Sequence, residues 1–166
     1  MRKSMFFRKI MSKAVNSYHN TNGFSMLEIY MVFTILGITA TIAVPKISGL
    51  IAKGRLRSAT QQILSDVSDA RMKAITYNTN SNITFNNSGY DIYLDTNRDN
   101  VFSSDEIIKS RNITQYSGVE INTYTDPIFY SNGKVTNTGN IEIKGSHGTR
   151  NININIIGRL KITRVD

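Results

Sequence analysis

Hydrophobic positions fall into three regimes along the chain. They are almost unbroken from Phe24 to Val44, recur at helical spacing from Lys46 to about Asn78, and alternate with polar residues from Ser81 onward. The first run holds 21 residues, and a helix of that length spans roughly 30 Å, the thickness of a bilayer's hydrocarbon core. In the second regime Ile47, Leu50, Ile51, Ile63, Val67, Ala70, Ala74 and Ile75 repeat with helical periodicity, while Lys53, Arg55, Arg57, Gln61, Asp66 and Arg71 fall largely between them. The pattern predicts one long helix, kinked or loosened near Pro45 and Gly49, whose second half packs on a sheet.

Period-two alternation predicts strands over 82–85, 90–94, 107–112, 119–123, 128–130, 140–144, 151–156 and 159–163. Asn87-Ser88-Gly89, Asn132-Gly133, Thr138-Gly139 and Gly145-Ser146-His147-Gly148 supply turns between them. A long N-terminal helix followed only by antiparallel strands is an α+β arrangement.

Glu28 is the only charged side chain in the apolar run. A carboxylate costs about 3 kcal/mol or more at mid-membrane and less near the boundary, so one that persists has a partner as a rule. Cleavage between Gly23 and Phe24 would create an α-ammonium four residues before Glu28. In an assembly of identical helices, the ammonium of one subunit could then pair with the carboxylate of the next.

Gly23, Phe24 and Glu28, the basic leader before them, the apolar helix after them and Pro45 beyond resemble the class III signal of type IV prepilins and type II secretion pseudopilins. The resemblance implies cleavage after Gly23 by a membrane prepilin peptidase, N-methylation of Phe24 and stacking of the apolar helices within a thin filament, with Glu28 and Pro45 serving assembly. It divides the chain into a leader over 1–23, a membrane and assembly helix over 24–45 and a pilin domain over 46–166. It also implies a single-pass protein of a bacterial inner membrane, its C-terminal domain in the periplasm, with other pilins or pseudopilins as partners. An ordinary secretory signal shares the basic start and apolar run, but this run is longer, lacks a small-x-small cleavage site near its end and retains Glu28. A plain uncleaved anchor is the other reading.

The stretch from Ile128, IFYSNGKVTNTGNIEIKGSHGTRNININIIGRLKI, is similar to the GspH/FimT group of minor pilins and pseudopilins. That group implies either a minor pilin, linked to pilus biogenesis and to DNA capture, or a minor pseudopilin of type II secretion. Both roles are structural rather than catalytic.

Charge narrows the picture. The formal net charge is +8, but Arg2, Lys3, Arg8, Lys9 and Lys13 all lie in the acid-free leader, where they act as a topology signal. Without the leader 15 basic side chains face 12 acidic ones, a balance of +3, and residues 131–166 alone carry +4. In Gly158-Arg-Leu-Lys-Ile-Thr-Arg, strand alternation puts Arg159, Lys161 and Thr163 on one face at about 7 Å spacing, suited to successive phosphates, with Leu160 and Ile162 toward the core. Arg150 and Arg164 complete the candidate DNA-binding set. The competing account is an edge strand whose charges resist aggregation.

There are no cysteines and only two histidines, His19 in the leader and His147 in a Gly-flanked loop, so thiolate metal sites and a Ser-His-Asp arrangement are excluded. The segment from Asp95 to Glu106 places oxygen ligands with the spacing of a twelve-residue calcium loop. Asp95, Asn97, Asp99, Val101 through its carbonyl, and Glu106 are its candidate ligands. Asn100 stands where such loops carry glycine, and Asn tolerates left-handed geometry. A hairpin loop capped by its own Asp and Asn side chains has the same composition. No nucleophile or phosphate-binding loop accompanies these carboxylates, so no catalytic constellation is predicted.

Overall fold

The computed structural model describes Gly23 to Val165, apart from the side chain of Thr123. The basic leader, including His19, lies outside the described residues. The chain forms two compact units that divide between Ile42 and Ala43, three residues before the boundary expected at Pro45.

Helix α1 runs without interruption from Met26–Thr76, through both Pro45 and Gly49. The Ser48 hydroxyl donates to the Pro45 carbonyl at 2.9 Å. Within the first unit every side chain from Phe24 onward is exposed. Its threonines are satisfied locally, Thr34 on the Tyr30 carbonyl at 2.8 Å and Thr41 on the Gly37 carbonyl at 2.9 Å, which lets hydroxyls sit in an apolar environment. The helix is long and apolar enough to cross a membrane.

The second unit is α+β. Among the described residues nine strands follow the helix: β1 (Ser81–Asn86), β2 (Gly89–Leu94), β3 (Ile107–Asn112), β4 (Val119–Thr123), β5 (Ile128–Phe129), β6 (Val135–Thr136), β7 (Asn140–Gly145), β8 (Gly148–Ile154) and β9 (Leu160–Val165). They form two antiparallel sheets rather than one, in the orders β3-β2-β1-β5-β6 and β4-β7-β8-β9. Eight strands coincide with the alternating segments. The ninth, β6, is a two-residue strand paired with β5.

One core joins helix and sheets. Ile63, Val67, Ala70 and Ala74 from α1 are fully buried with Ile83, Phe129, Ile141, Ile143 and Ile152. Leu56, Ala59 and Thr60 extend the buried helix stripe toward its start. Four apolar positions of the helical pattern, Ile47, Leu50, Ile51 and Ile75, are exposed instead. The buried stripe begins only at Leu56, so the helix turns before it carry Ile47, Leu50 and Ile51 outward, and Ile75 lies in the last turn of α1.

Candidate functional site

Helix α1 opens at Ser25, whose hydroxyl accepts the Leu27 amide at 3.3 Å while its carbonyl accepts the Ile29 amide at 3.2 Å. Glu28 sits in the first turn, three residues after this cap, with the spacing of a capping box and where the helix dipole favours an anion. Gly23 and Phe24 precede the helix outside any regular element, and Phe24 is 79% exposed. The expected cleavage position and its neighbouring carboxylate are thus both exposed.

The C-terminal basic residues divide between two faces of one sheet. β9 is its edge strand. Leu160 and Ile162 pack against the core as expected, and Lys161 is exposed on the opposite face. Arg159 lies one residue before the strand and is also exposed. Its amide donates to Asn155 Oδ1 at 2.7 Å, which ties it to the turn closed by Gly158 at φ 74°. Asn153, Asn155, Arg159 and Lys161 line an open depression of about 360 Å³.

Arg150 and Arg164 do not join them. Arg150 shares the side of β8 that carries the buried Ile152 and Ile154, and Arg164 is its direct partner on β9. Both line a smaller cavity, of about 100 Å³, beside Lys53 and Leu56 of α1 and His147 of the β7–β8 turn. The four candidate DNA ligands are therefore two pairs on opposite faces, not one ridge.

In the loop from Asp95 to Glu106 the carboxylates are occupied by backbone amides. Asp95 accepts the Asp99 and Asn100 amides, each at 3.1 Å, and Asp99 accepts the Val101 amide at 2.7 Å. Asn97 accepts the Asp99 amide at 3.0 Å. Glu106 accepts the Thr96 amide at 2.9 Å and those of Asn97 and Ser103 at 3.4 Å. Burial alone would raise the Glu106 carboxyl, yet these amides hold it below its ordinary value. Arg98 and Asn100 take left-handed geometry, φ 63° and 62°. Among the described residues no group of three or more acidic, histidine or cysteine side chains is arranged to hold a metal. These hydrogen bonds cap the loop with its own Asp, Asn and Glu side chains.

Two polar centres depart from the pattern expected of the helix. Asp66, expected between apolar positions, is 2% exposed on the buried stripe of α1. Its carboxylate receives Lys109 Nζ at 2.7 Å, the Tyr90 hydroxyl at 2.7 Å, Gln62 Nε2 at 3.1 Å and Arg111 Nε at 3.2 Å. Burial pushes its pKa up, but these donors more than offset that and hold it below the carboxylate range. Arg71, also expected in solvent, donates to the Gly133 carbonyl at 3.2 Å and the Ile157 carbonyl at 3.1 Å, fastening two turns to the helix. A signal was present for Asp66: it is three residues after Ile63 and four before Ala70, inside the stripe.

The family model for type II transport protein GspH matches residues 59–158. No curated protein matches the chain, and no solved structure does. The matched residues take in the buried stripe of α1 from Ala59 onward, strands β1 to β8 and the turn up to Gly158, stopping short of Arg159 and β9, and the chain belongs to the GspH family of pilin-like type II transport proteins.

Proposed function

We propose that the chain is a minor, FimT-like pilin, cleaved after Gly23, anchored by residues 24–45 and incorporated into a pilus-like filament, where Arg159 and Lys161 contact DNA phosphates. The chain is then a substrate of the prepilin peptidase rather than an enzyme. The observation that carries the filament role is the combination of the GspH family match with an apolar, fully exposed helix start. An apolar helix with no cover of its own is at home only in a bilayer or among like helices. The DNA contact is supported by the exposed Arg159 and Lys161 beside the open depression. A second reading, a minor pseudopilin of type II secretion, is favoured by the division of the four candidate DNA-contacting residues between two faces, which leaves only Arg159 and Lys161 of them on the outer one.

DNA binding across salt concentration separates the readings. All buried side chains of the core lie between Leu56 and Ile154, so a soluble fragment from Lys46 onward retains the whole of it. With two phosphates engaged, log K should fall against log salt with a slope of about −1.8. Arg159→Ala with Lys161→Ala should abolish the binding. Absence of salt-sensitive binding in both proteins would select the secretion reading.

A further inference from the structure

No acidic residue stands between Glu28 and Asp66, and that interval holds Lys46, Lys53, Arg55 and Arg57, all exposed. Lys46, Leu50, Lys53 and Arg57 follow one another at helical spacing along one side of α1. Leu50 is 68% exposed and Ile47 53%. This stripe leads to the cavity lined by Lys53, His147, Arg150 and Arg164, and His147 lies against Gly49 of the helix, a Cβ there meeting its ring at 3.6 Å. Among the described residues neither Lys53 nor Arg150 is ion-paired.

We infer that this surface, Lys46 and Lys53 on the helix with Arg150 on β8, binds the phosphate of an anionic phospholipid headgroup. The helix axis carries Lys46 about 3 Å and Lys53 about 13 Å beyond Val44. The headgroup layer is about 5–8 Å deep, and lysine tails lean back along apolar surface to place their ammonium groups within it. Leu50 and Ile47 supply that surface. The pairing of exposed apolar and cationic side chains directly after an apolar span is complementary to an anionic bilayer surface and to nothing in a neutral one. DNA is the other polyanion of matching charge, but it has no use for the exposed leucine and isoleucine. Arg159 and Lys161, on the other side of the sheet, remain available to it.

The inference rests on the membrane anchoring in the proposed function, and its test needs neither cleavage nor a filament. The full chain in mild detergent is titrated with phosphatidylglycerol, with phosphatidylcholine of the same acyl chains and with inorganic phosphate, and bound lipid is counted by native mass spectrometry. Three cations at the headgroup predict a preference of roughly 150-fold for phosphatidylglycerol. Lys53→Gln with Arg150→Gln should bring the preference down to roughly fivefold, that of Lys46 alone. Arg150→Lys, which keeps the charge, should preserve most of it, and Arg159→Gln with Lys161→Gln should leave it unchanged. Equal retention of the two lipids, an unchanged preference in the Lys53/Arg150 variant, or displacement of the lipid by inorganic phosphate at equal concentration would each overturn the inference. A failure of the pilin reading shows elsewhere, as a chain whose mass is unchanged by co-expressed prepilin peptidase.

Discussion

Lys109 Nζ lies 2.7 Å from Asp66 Oδ1, joining the edge strand β3 to a carboxylate that is nearly inaccessible on the buried side of α1. The Tyr90 hydroxyl meets the other oxygen at the same distance. A buried carboxylate held by four charged or neutral donors stabilises only while it is ionised and the donors are intact. Asp66→Asn keeps the shape and loses the charge, and should cost about 2–3 kcal/mol. Tyr90→Phe removes one donor of several and should cost about 1 kcal/mol. Urea denaturation of the soluble domain checks both.

The same carboxylate sets a pH dependence. Because its pKa is lowered in the fold, its contribution is fully present above the ordinary carboxylate range and is lost as pH falls through the lowered value. Thermal unfolding followed from neutral pH downward should therefore show a steeper acid loss in the native chain than in Asp66→Asn. Parallel curves would mean that Asp66 titrates alike in the folded and unfolded states.

Much of the fold is legible in the sequence because isoleucines keep strict alternation, as in Ile83 paired with Ile92 and Ile152 paired with Ile162. Sheet membership is not. β1 pairs with β5 through Ser81–Phe129 and Asn82–Ile128, partners too distant in sequence for any local pattern to join. β6 is too short to display a period. The basic residues show how strand limits control a functional reading. An expected strand over 151–156 leaves out Arg150, and one ending at 163 leaves out Arg164, whereas the tight turn at Ser146-His147 carries the ladder out to both ends and makes them direct partners. Asp66 stayed hidden because its acceptability in the stripe depends on Lys109 and Arg111, 43 and 45 residues away.

Gly158 and Arg71 should behave as a coupled pair. Gly158 has φ 74°, and a Cβ at that position would overlap Arg71 Nε. Gly158→Ala should thus cost about 1–3 kcal/mol from the left-handed backbone alone, with a further loss as Arg71 is displaced from the Gly133 and Ile157 carbonyls. In a double-mutant cycle with Arg71→Ala the two losses should fall short of additive by at least about 0.5 kcal/mol. Additive losses would show that the side chain leaves without consequence for the turn.

The loop from Asp95 to Glu106 makes opposite predictions for its two readings. With amides already filling the Asp95, Asp99 and Glu106 carboxylates, Glu106→Gln should lower the melting temperature equally in millimolar calcium and in chelator. The native chain should melt at one temperature in both. A calcium-dependent rise that disappears in Glu106→Gln would instead place an ion among these side chains.

Glu28 separates two roles that one substitution cannot distinguish. It stands three residues after the Ser25 cap, so its side chain suits the helix start whether or not it pairs with a neighbouring subunit's α-ammonium. Glu28→Gln retains the capping capacity and removes the charge, whereas Glu28→Ala removes both. On the proposed processing after Gly23, cleavage should proceed in each variant, while Gly23→Glu should leave the chain unprocessed. The fraction recovered in sheared filaments then decides. If the charge pairs between subunits, both Glu28 variants are processed and both are missing from filaments. Incorporation of Glu28→Gln at the native level, with Glu28→Ala excluded, would assign the carboxylate to the helix cap and refute the pairing.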